Sequence, residues 1–266
     1  MVDLHLHLLP GIDDGPADGA GALRLAGALT NDGITAAAVT PHVSERYPNT
    51  LEMIATATDR FRDQLERTGS TLQISTGAEL ALERIARVSD DELVGFSLGG
   101  HGRHLLLECP HAAWPFDIEL HIARIAALGM QTVIAHPERC AAVQADSAPL
   151  RRLVEAGALV QVTAASLAGL AGRGARRCAR ELLAAGALHL LASDAHGAER
   201  RPPRMTAAKA VIDDPALADW LTQDAPFAIF SGGEIPPRRR AAAAVREAGA
   251  RSRRNPAATL FQRLSR

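Results

Sequence analysis

The first chemically informative stretch of the sequence is MVDLHLHLLPGIDD, at residues 1–14. Side chains of an extended chain alternate between two faces, so His5 and His7 point the same way while the leucines around them point the other way. Two imidazoles on one face, two residues apart, can bind one metal ion together. Pro10 and Gly11 end the strand, and the carboxylates of Asp13 and Asp14 follow in a loop. The alternative is a half-exposed strand with a polar outer face, and this motif alone does not decide between the two.

Residue types that bind metals recur where other predicted strands end. In (β/α) barrels the carboxyl ends of the strands and the following loops carry the catalytic groups. Taken singly, His42 or His136 is more typical of a capping or core histidine, and Glu79 or Glu108 of a salt-bridged surface carboxylate. Burying so many carboxylates together without cations would be strongly unfavourable, so the joint pattern predicts a metal centre. The candidate ligands are His5, His7, Asp14, His42, Glu79, Glu108, His136, Asp194 and His196.

The candidate ligands are imidazole nitrogens and carboxylate oxygens, and no thiolate is required. Such a set suits Mn, Fe, Zn or Mg and does not rank these metals. Five histidines and four carboxylates are enough to hold more than one ion. Two or three neighbouring ions, bridged by carboxylate and hydroxide, are typical of enzymes that hydrolyse phosphate esters.

The motifs together resemble the PHP (polymerase and histidinol phosphatase) superfamily, and within it the bacterial CpsB/CapC and YwqE-like protein-tyrosine phosphatases. The resemblance covers residues 1–235 in the order of the family, and the PGIDDG and HPER stretches separate this branch from other PHP proteins. It implies a distorted (β/α)7 TIM-like barrel of the PHP type. The motifs are His5-Leu-His7, Pro10-Gly-Ile-Asp-Asp14-Gly15, Thr40-Pro-His42, Gly77-Ala-Glu79, His136-Pro-Glu-Arg139 and Ser193-Asp-Ala-His196.

The resemblance also implies three divalent ions per chain, with manganese as the expected metal. The ligands of the first ion would be His5, His7, Glu79 and Asp194. The second ion would share Glu79 and add Glu108 and His136, and the third would use Asp14, His42 and His196. Two phosphate-binding arginines of the family match Arg139 and Arg201, with Arg200 as an alternative to the latter.

By the same resemblance, the chain is expected to hydrolyse phosphotyrosine in a protein. The expected target is the tyrosine-rich C-terminal tail of a bacterial tyrosine kinase of the exopolysaccharide or capsule system. A metal-bridging hydroxide would attack phosphorus in line while the arginines bind the equatorial oxygens. The leaving phenolate, whose conjugate acid has a pKa of about 10, needs less help from a general acid than an alkoxide does.

Several other functions compete with this one. Ligands alone barely distinguish it from a histidinol-phosphate or other small phosphomonoester phosphatase of the superfamily. A non-catalytic regulator that binds a kinase is a second alternative, and an amidohydrolase is a weaker one because Glu108 stands where many amidohydrolases carry a carboxylated lysine. A cysteine-dependent tyrosine phosphatase is excluded, since it needs an arginine six residues after its cysteine and none of the three cysteines has one.

Alternating strand and helix patterns must position these side chains. Seven strands alternating with helices favour a parallel sheet and, at this length, a small (β/α) barrel. The strands are predicted at the N-terminus and at 35–40, 72–79, 104–108, 131–136, 159–163 and 187–194, with 227–230 as a last short strand. The helices are predicted at 17–33, 50–68, 82–94, 117–128, 148–156, 173–185, 204–212 and 214–222.

The composition changes abruptly after Pro236 and Pro237 to arginine and alanine. We therefore predict a phosphatase domain at residues 1–236 and a basic C-terminal tail at 237–266. The tail could contact an acidic partner or an anionic membrane surface. A solvated, partly disordered end is the alternative, and the one the composition favours.

The composition of the whole chain narrows the remaining classes. The 266 residues are 47% hydrophobic, which is ample for a core. No apolar run would span a bilayer and the first residues lack a signal-peptide pattern, so a cytoplasmic location is predicted. A formal net charge of −1 gives no case for nucleic-acid binding. Three cysteines without paired spacing predict free thiols.

Overall fold

The structure is a computed structural model, and it describes residues 1–238. Nine short strands occur in this part of the chain, and every ladder between them is parallel. Parallel pairing requires a crossover between successive strands, and helices supply it here. The strands are β1 (Val2–Asp3), β2 (Ala36–Ala38), β3 (His42–Val43), β4 (Gln73–Ser75), β5 (Glu79–Ala81), β6 (His104–Glu108), β7 (Gln131–Ala135), β8 (Leu159–Thr163) and β9 (Leu190–Ala192).

Helices connect and cover the strands. They are α1 (Gly19–Asn31), α2 (Leu51–Arg67), α3 (Leu82–Ile85), α4 (Asp90–Gly95), α5 (Ile118–Ala127), α6 (Ala141–Ala145), α7 (Ala148–Glu155), α8 (Ala164–Leu167), α9 (Arg173–Ala184), α10 (Met205–Lys209), α11 (Pro215–Asp219) and α12 (Ala225–Phe230). Two 3-10 turns, at Leu98–Gly100 and Pro137–Arg139, and a π-helical turn at Trp220–Asp224 complete the regular structure of these residues.

The strands follow one another around a distorted barrel. One sheet has the order β1-β2-β4 and the other β3-β5-β6-β7-β8-β9. β2 continues into β3, and β4 into β5, so the nine pieces make up the seven predicted strands. A single parallel bridge between Leu6 and Ala195 joins the first strand to the last. Flanking hydrogen bonds support this bridge, from Asp194 N–H to the His5 carbonyl at 2.8 Å and from His7 N–H to the Ala195 carbonyl at 2.9 Å.

The core lies inside the barrel and between the barrel and its helices. Every residue of β8 and β9 is buried, as expected for parallel strands covered on both faces. Helix α2 shows how the covering layer forms. Thr50 caps its N-terminus by accepting from Met53 N–H, and Ile54, Phe61 and Leu65 recur at helical spacing on the buried face. The strand ends that carry the predicted ligands are therefore supported by a closely packed core.

The predicted strand at 35–40 is β2, and beyond Pro41 the chain pairs again as β3; the predicted strand at 72–79 is divided at Gly77 into β4 and β5. The proline has no N–H to donate to a ladder. A side chain at Gly77 would meet the Thr40 methyl and the Val39 carbonyl at 3.3 Å, so the glycine permits this close approach. The predicted helix over 82–94 is likewise two helices, because Ser89 and Glu92 form a capping box that starts α4.

The predicted last strand at 227–230 is wrong, because these residues belong to α12. The π-helical turn that precedes it carries the chain directly into the helix. Pro226 lies in the first turn, where its missing N–H has no intrahelical acceptor to lose. A run of four apolar residues is too short for its periodicity to distinguish strand from helix.

The predicted basic tail lies outside the described residues beyond Arg238, so the domain boundary stays a prediction. Up to that point the chain packs on the domain. Trp220 Nε1 donates to the Pro236 carbonyl at 2.9 Å, and Arg238 donates to the Gly186 carbonyl at 2.9 Å. Within residues 1–238, no helix has the length and apolar character needed to cross a bilayer. Cys109, Cys140 and Cys178 are all free and buried, as predicted.

Acid is expected to destabilise the fold through His189. Burial and the nearby Arg238 lower the pKa of His189 to about 4, and its Nδ1 accepts from Val160 N–H at 3.1 Å. The unfolded chain, with a histidine pKa of about 6.5, takes up the proton first, so stability falls as pH drops from 6.5 towards 4. We expect the difference in unfolding free energy between pH 7 and pH 5, measured by urea titration in EDTA, to shrink by about 2 kcal/mol in His189→Asn.

Asparagine keeps an acceptor near Nδ1 but does not titrate. His101→Asn, at an exposed histidine, serves as the control and should retain the wild-type difference. An unchanged difference in His189→Asn would contradict the prediction.

Candidate metal centre

All nine predicted ligands lie at one rim of the barrel, where strands end, in the loops that follow or, for His42 and Glu79, at the first residues of β3 and β5. The histidines and carboxylates form four groups, within each of which one ligand atom per residue lies less than 4.8 Å from the others. Each predicted ligand belongs to at least one group. The groups are His5–Glu79–His136, His5–His7–Asp194, His42–Glu79–Glu108 and His7–Asp14–His42–His196.

Glu79 is the hub of the centre. It starts β5, is 1% exposed, and its carboxylate meets four imidazoles. Oε1 lies 2.8 Å from Nε2 of His136. Oε2 lies 3.2 Å from Nε2 of His5, 3.3 Å from Nε2 of His7 and 3.0 Å from Nδ1 of His42. A carboxylate with this many nitrogen neighbours can bridge two ions, which is the role that the resemblance implies.

Asp194 closes the deep side of the centre. Its Oδ1 lies 3.6 Å from Nε2 of both His5 and His7. The two histidines therefore share one face of the first strand, as their spacing predicts. Asp194 itself follows β9 and has a positive φ of 52°.

The outer group contains the three residues that the resemblance assigns to a third ion. Asp14 Oδ1 lies 3.2 Å from Nε2 of His196 and 3.5 Å from Nε2 of His42. The ring of His7 also reaches this group, with its centroid 3.9 Å from that of His196. Asp14 is 41% exposed, so this side of the centre opens to solvent.

Glu108 is grouped differently from its implied place. The resemblance sets it with His136, whereas the structure puts its carboxylate 3.8 Å from Nδ1 of His42, in the group that also holds Glu79. Burial and the neighbouring Glu79 carboxylate raise the pKa of Glu108 to about 7. Glu108 is thus a ligand candidate at the solvent side of the hub, where it is 25% exposed.

The donor set fits divalent cations. Glu79 Oε2 and the Nε2 atoms of His5, His7 and His196 are buried without an aligned hydrogen-bond partner. Buried polar atoms without partners are strongly unfavourable. Glu79 Oε2 faces Nε2 of His5 and His7, and His196 lies in the same group as His7. A cation satisfies such atoms at once, because neutral imidazole and ionised carboxylate are the forms that bind metal.

The charge balance supports the same conclusion. Burial opposes ionisation of Glu79, but the imidazole of His5 and the hydrogen bond from His136 outweigh it and hold the pKa of Glu79 well below its usual range. Burial likewise opposes the charge on His7, yet the hydrogen bond to Asp13 and the neighbouring Glu79 carboxylate raise the pKa of His7 to about 10. Positive charge is thus drawn to the centre, and metal ions can supply it in place of protons.

Two arginines flank the centre at a recess of about 600 Å³. Arg139 Nη1 and Arg201 Nη2 both donate to Oδ2 of Asp194, at 2.6 Å and 2.7 Å. Their guanidinium groups line the recess and keep further donors for a ligand. Arg200, the alternative to Arg201, is exposed and does not line the recess.

Comparison with known proteins decides the family. A family model for capsular polysaccharide synthesis proteins, CpsB/CapC, matches residues 1–222. The chain belongs to the CpsB/CapC family. The tyrosine-protein phosphatase YwqE of Bacillus subtilis is 32% identical over 204 residues, which cover 76% of this chain and 79% of YwqE. The tyrosine-protein phosphatase CpsB of Streptococcus pneumoniae is 26% identical over 220 residues, covering 80% of this chain and 89% of CpsB.

This CpsB/CapC chain has the fold seen in a crystal structure from the study of YwqE and CpsB. Those two proteins are described as unique metal-dependent tyrosine phosphatases. This chain and that crystal structure superpose with a TM-score of 0.81 at 28% identity, over 91% of this chain and 99% of the other. The resemblance found in the sequence motifs is therefore confirmed.

The residues that orient the ligands of this CpsB/CapC chain were not predicted from its sequence. Asp13 Oδ2 accepts from Nδ1 of His7 at 2.7 Å and from His42 N–H at 3.1 Å. Gln161 Oε1 accepts from Nδ1 of His5 at 2.9 Å and from His136 N–H at 3.2 Å. The two bonds from imidazole, those of His5 and His7, fix the proton on Nδ1 and leave Nε2 to face the centre. The signal for Asp13 was its place in the PGIDDG motif.

Two further buried carboxylates hold the rim itself. Asp3 Oδ1 accepts from the N–H groups of His5 and Ser193, at 3.3 Å and 3.0 Å, and so ties the first strand to the last. Glu138 Oε1 accepts from Thr163 N–H at 3.1 Å, which ties the 3-10 turn that follows His136 to the end of β8. The N–H groups of Ser193 and Thr163, which these two carboxylates bind, belong to residues distant in the chain, so no local sequence pattern reveals the role.

We expect Asp13→Asn to weaken metal binding about 10- to 100-fold while the protein stays folded. The amide would present an N–H where the carboxylate accepts from His7 and His42, so the imidazole of His7 loses its orienting partner. A chelating dye in competition for Mn²⁺ measures the affinity. Asp59→Asn, at an exposed surface pair, is the matched control. Wild-type affinity in Asp13→Asn would contradict the assigned role.

Proposed function

We propose that this chain is a metal-dependent phosphotyrosine phosphatase whose centre is built on Glu79. The observation that carries the proposal is the convergence of four imidazoles on this one carboxylate, beside a recess that presents two arginines. Phosphate-ester hydrolysis needs both clustered cations and donors for phosphoryl oxygens. Two relatives in the same family, YwqE and CpsB, are tyrosine-protein phosphatases.

We propose up to three ions, with manganese first among the candidate metals, held by the nine residues at the rim. Metal ions bound there would ionise water near neutral pH and neutralise charge on phosphoryl oxygens. Glu79 and Asp194 hold the inner sites, and Asp14 with His196 holds the outer one. Asp13 and Gln161 keep the ring nitrogens aimed inward.

Arg139 and Arg201 bind the phosphoryl group. Both guanidinium groups donate to one carboxylate oxygen, Oδ2 of Asp194, and both line the same recess. Charge-assisted bonds from two planar guanidinium groups orient the equatorial oxygens and stabilise the charge that develops on them. The leaving phenolate has a conjugate acid with a pKa of about 10 and needs little protonation by the protein.

The proposed substrate is a phosphotyrosine protein, and we propose the C-terminal tail of a bacterial tyrosine kinase of the exopolysaccharide or capsule system. The capsular polysaccharide synthesis family supports this setting. A cytoplasmic location, and membrane proximity through the basic tail, stay predictions. Histidinol phosphate or another small phosphomonoester remains the alternative substrate, and a non-catalytic regulator is the second alternative.

The proposal is tested by metal analysis of the purified protein together with hydrolysis assays. Wild type should turn over a phosphotyrosine peptide and p-nitrophenyl phosphate, lose activity in EDTA and regain it with Mn²⁺. It should prefer aryl phosphates over histidinol phosphate. We expect His136→Ala to lower kcat/KM at least about a hundredfold, since about 3 kcal/mol of transition-state stabilisation is lost with a ligand.

His121→Ala is the matched control, because His121 belongs to none of the metal-ligand groups and its ring hydrogen-bonds to Asp117 at the start of α5. Activity that survives chelation would overturn the metal-dependent reaction. Full activity in His136→Ala would remove His136 from the centre, and faster turnover of histidinol phosphate would favour the alternative substrate.

A further inference from the structure

The recess beside the centre is built for more than a phosphoryl group. Its volume of about 600 Å³ lies in the range of sites that bind whole organic ligands. Leu170, Ala171 and Pro202 form an apolar wall, and Leu170 is 61% exposed. An exposed leucine at the edge of a functional recess is available to pack against a bound molecule.

A third arginine, Arg204, lines the recess with Arg139 and Arg201. Asp194 is the only carboxylate among the lining residues, and it already accepts from both of the other arginines. Within residues 1–238, Arg204 makes no ion pair. The recess therefore has more positive than negative charge. Arg139 and Arg201 are paired with Asp194, whereas the charge of Arg204 has no carboxylate partner among the described residues that line the recess.

Arg204 has the same unusual backbone conformation, a positive φ, as residues of the centre. In the described part of the chain, positive φ outside glycine occurs at four residues, all at the centre or its recess: His136, Asp194, Arg201 and Arg204. Left-handed backbone is unfavourable for such residues and concentrates where a side chain must be held for function. Arg204, with φ of 63°, is held by the hydrogen bond from Met205 N–H to the Asp32 carboxylate.

We infer that Arg204 is a specificity-determining residue that binds an acidic side chain next to the phosphotyrosine of the substrate. This inference rests on the proposed function, in which Arg139 and Arg201 bind the phosphoryl group. Arg204 lies exposed, three residues further along the chain than Arg201, at the recess that continues from the centre. The apolar wall packs against the ring and the aliphatic part of the flanking residue. The preferred substrate is thus a phosphotyrosine peptide with a carboxylate beside the tyrosine.

The test compares three substrates: a phosphotyrosine peptide flanked by Asp and Glu, the same peptide with Asn and Gln, and p-nitrophenyl phosphate. We expect Arg204→Asn to lower kcat/KM for the acidic peptide about tenfold, the effect of one charge-assisted hydrogen bond. The two other substrates should change less than twofold. Asparagine tolerates the left-handed backbone, so the variant keeps the loop.

A charge reversal makes the test sharper. Arg204→Glu should disfavour the acidic peptide and hydrolyse a lysine-flanked peptide faster than wild type does. Arg200→Asn removes a neighbouring exposed charge that does not line the recess, and it should leave the ratio between peptides unchanged.

Equal losses on all three substrates in Arg204→Asn would overturn the inference, because Arg204 would then act on the phosphoryl group or on the fold. An unchanged ratio between peptides would overturn it as well. Failure of the proposed function gives a different result, a wild-type protein that is inactive with Mn²⁺ on every substrate.

Discussion

Glu79→Gln is expected to remove metal-dependent phosphatase activity, with kcat/KM reduced at least about a thousandfold. The carboxylate is the shared neighbour of His5, His7, His42 and His136, so its charge supports more than one ion. The neutral amide has the same shape but presents an N–H to one side of the hub. Loss of about 4 kcal/mol of charge stabilisation in the transition state corresponds to this factor. Turnover of p-nitrophenyl phosphate and metal content by mass spectrometry measure both effects.

Glu155→Gln, at an exposed position of α7, is the matched control and should keep both metal and activity. Circular dichroism shows whether Glu79→Gln is folded. A folded Glu79→Gln protein with the metal content and activity of wild type would rule out Glu79 as the bridging ligand.

Arg139→Gln is expected to lower kcat/KM for phosphotyrosine peptide about 100- to 1000-fold without loss of metal. Arg139 donates to Asp194 at 2.6 Å and lines the recess, so its removal takes away donors for the phosphoryl oxygens. A donor aimed at developing charge is worth this factor in other enzymes. Arg201 still pairs with Asp194 at 2.7 Å, so the Asp194 carboxylate keeps its orientation toward the metal centre.

Arg139→Lys tests the geometry of the group. It restores the charge but not the planar fork, and we expect it to recover only a small part of the activity. If metal content fell together with activity in Arg139→Gln, the arginine would act through Asp194 rather than on the substrate.

The rim could be predicted from the sequence because its signal is chemical and local. His5 and His7 show their common face by spacing alone, and Glu79 and His136 end the strands that hydrophobic runs predict at 72–79 and 131–136. The parallel pairing and the barrel order follow from the alternation of strands and helices. Arg139 and Arg201 came from motif resemblance, and the recess that both line supports that choice over Arg200.

Other features depend on tertiary contacts that no local pattern contains. Gln161 orients His5 across the barrel, and nothing in its own strand distinguishes it from any buried polar residue. The grouping of Glu108 with His42 depends on how β3 and β5 pair. The helix at α12 replaced a predicted strand because a short apolar run takes its conformation from the turn before it.

The bridge between Leu6 and Ala195 determines when the metal centre can assemble during synthesis and folding of the chain. His5 and His7 flank one side of that seam, and Asp194 and His196 flank the other. Cations bound between these two pairs would join one segment that is synthesised first in the domain to another that is synthesised late. A nascent chain therefore carries no finished centre until the ribosome has released it as far as His196, and catalytic competence becomes a property of the completed barrel alone.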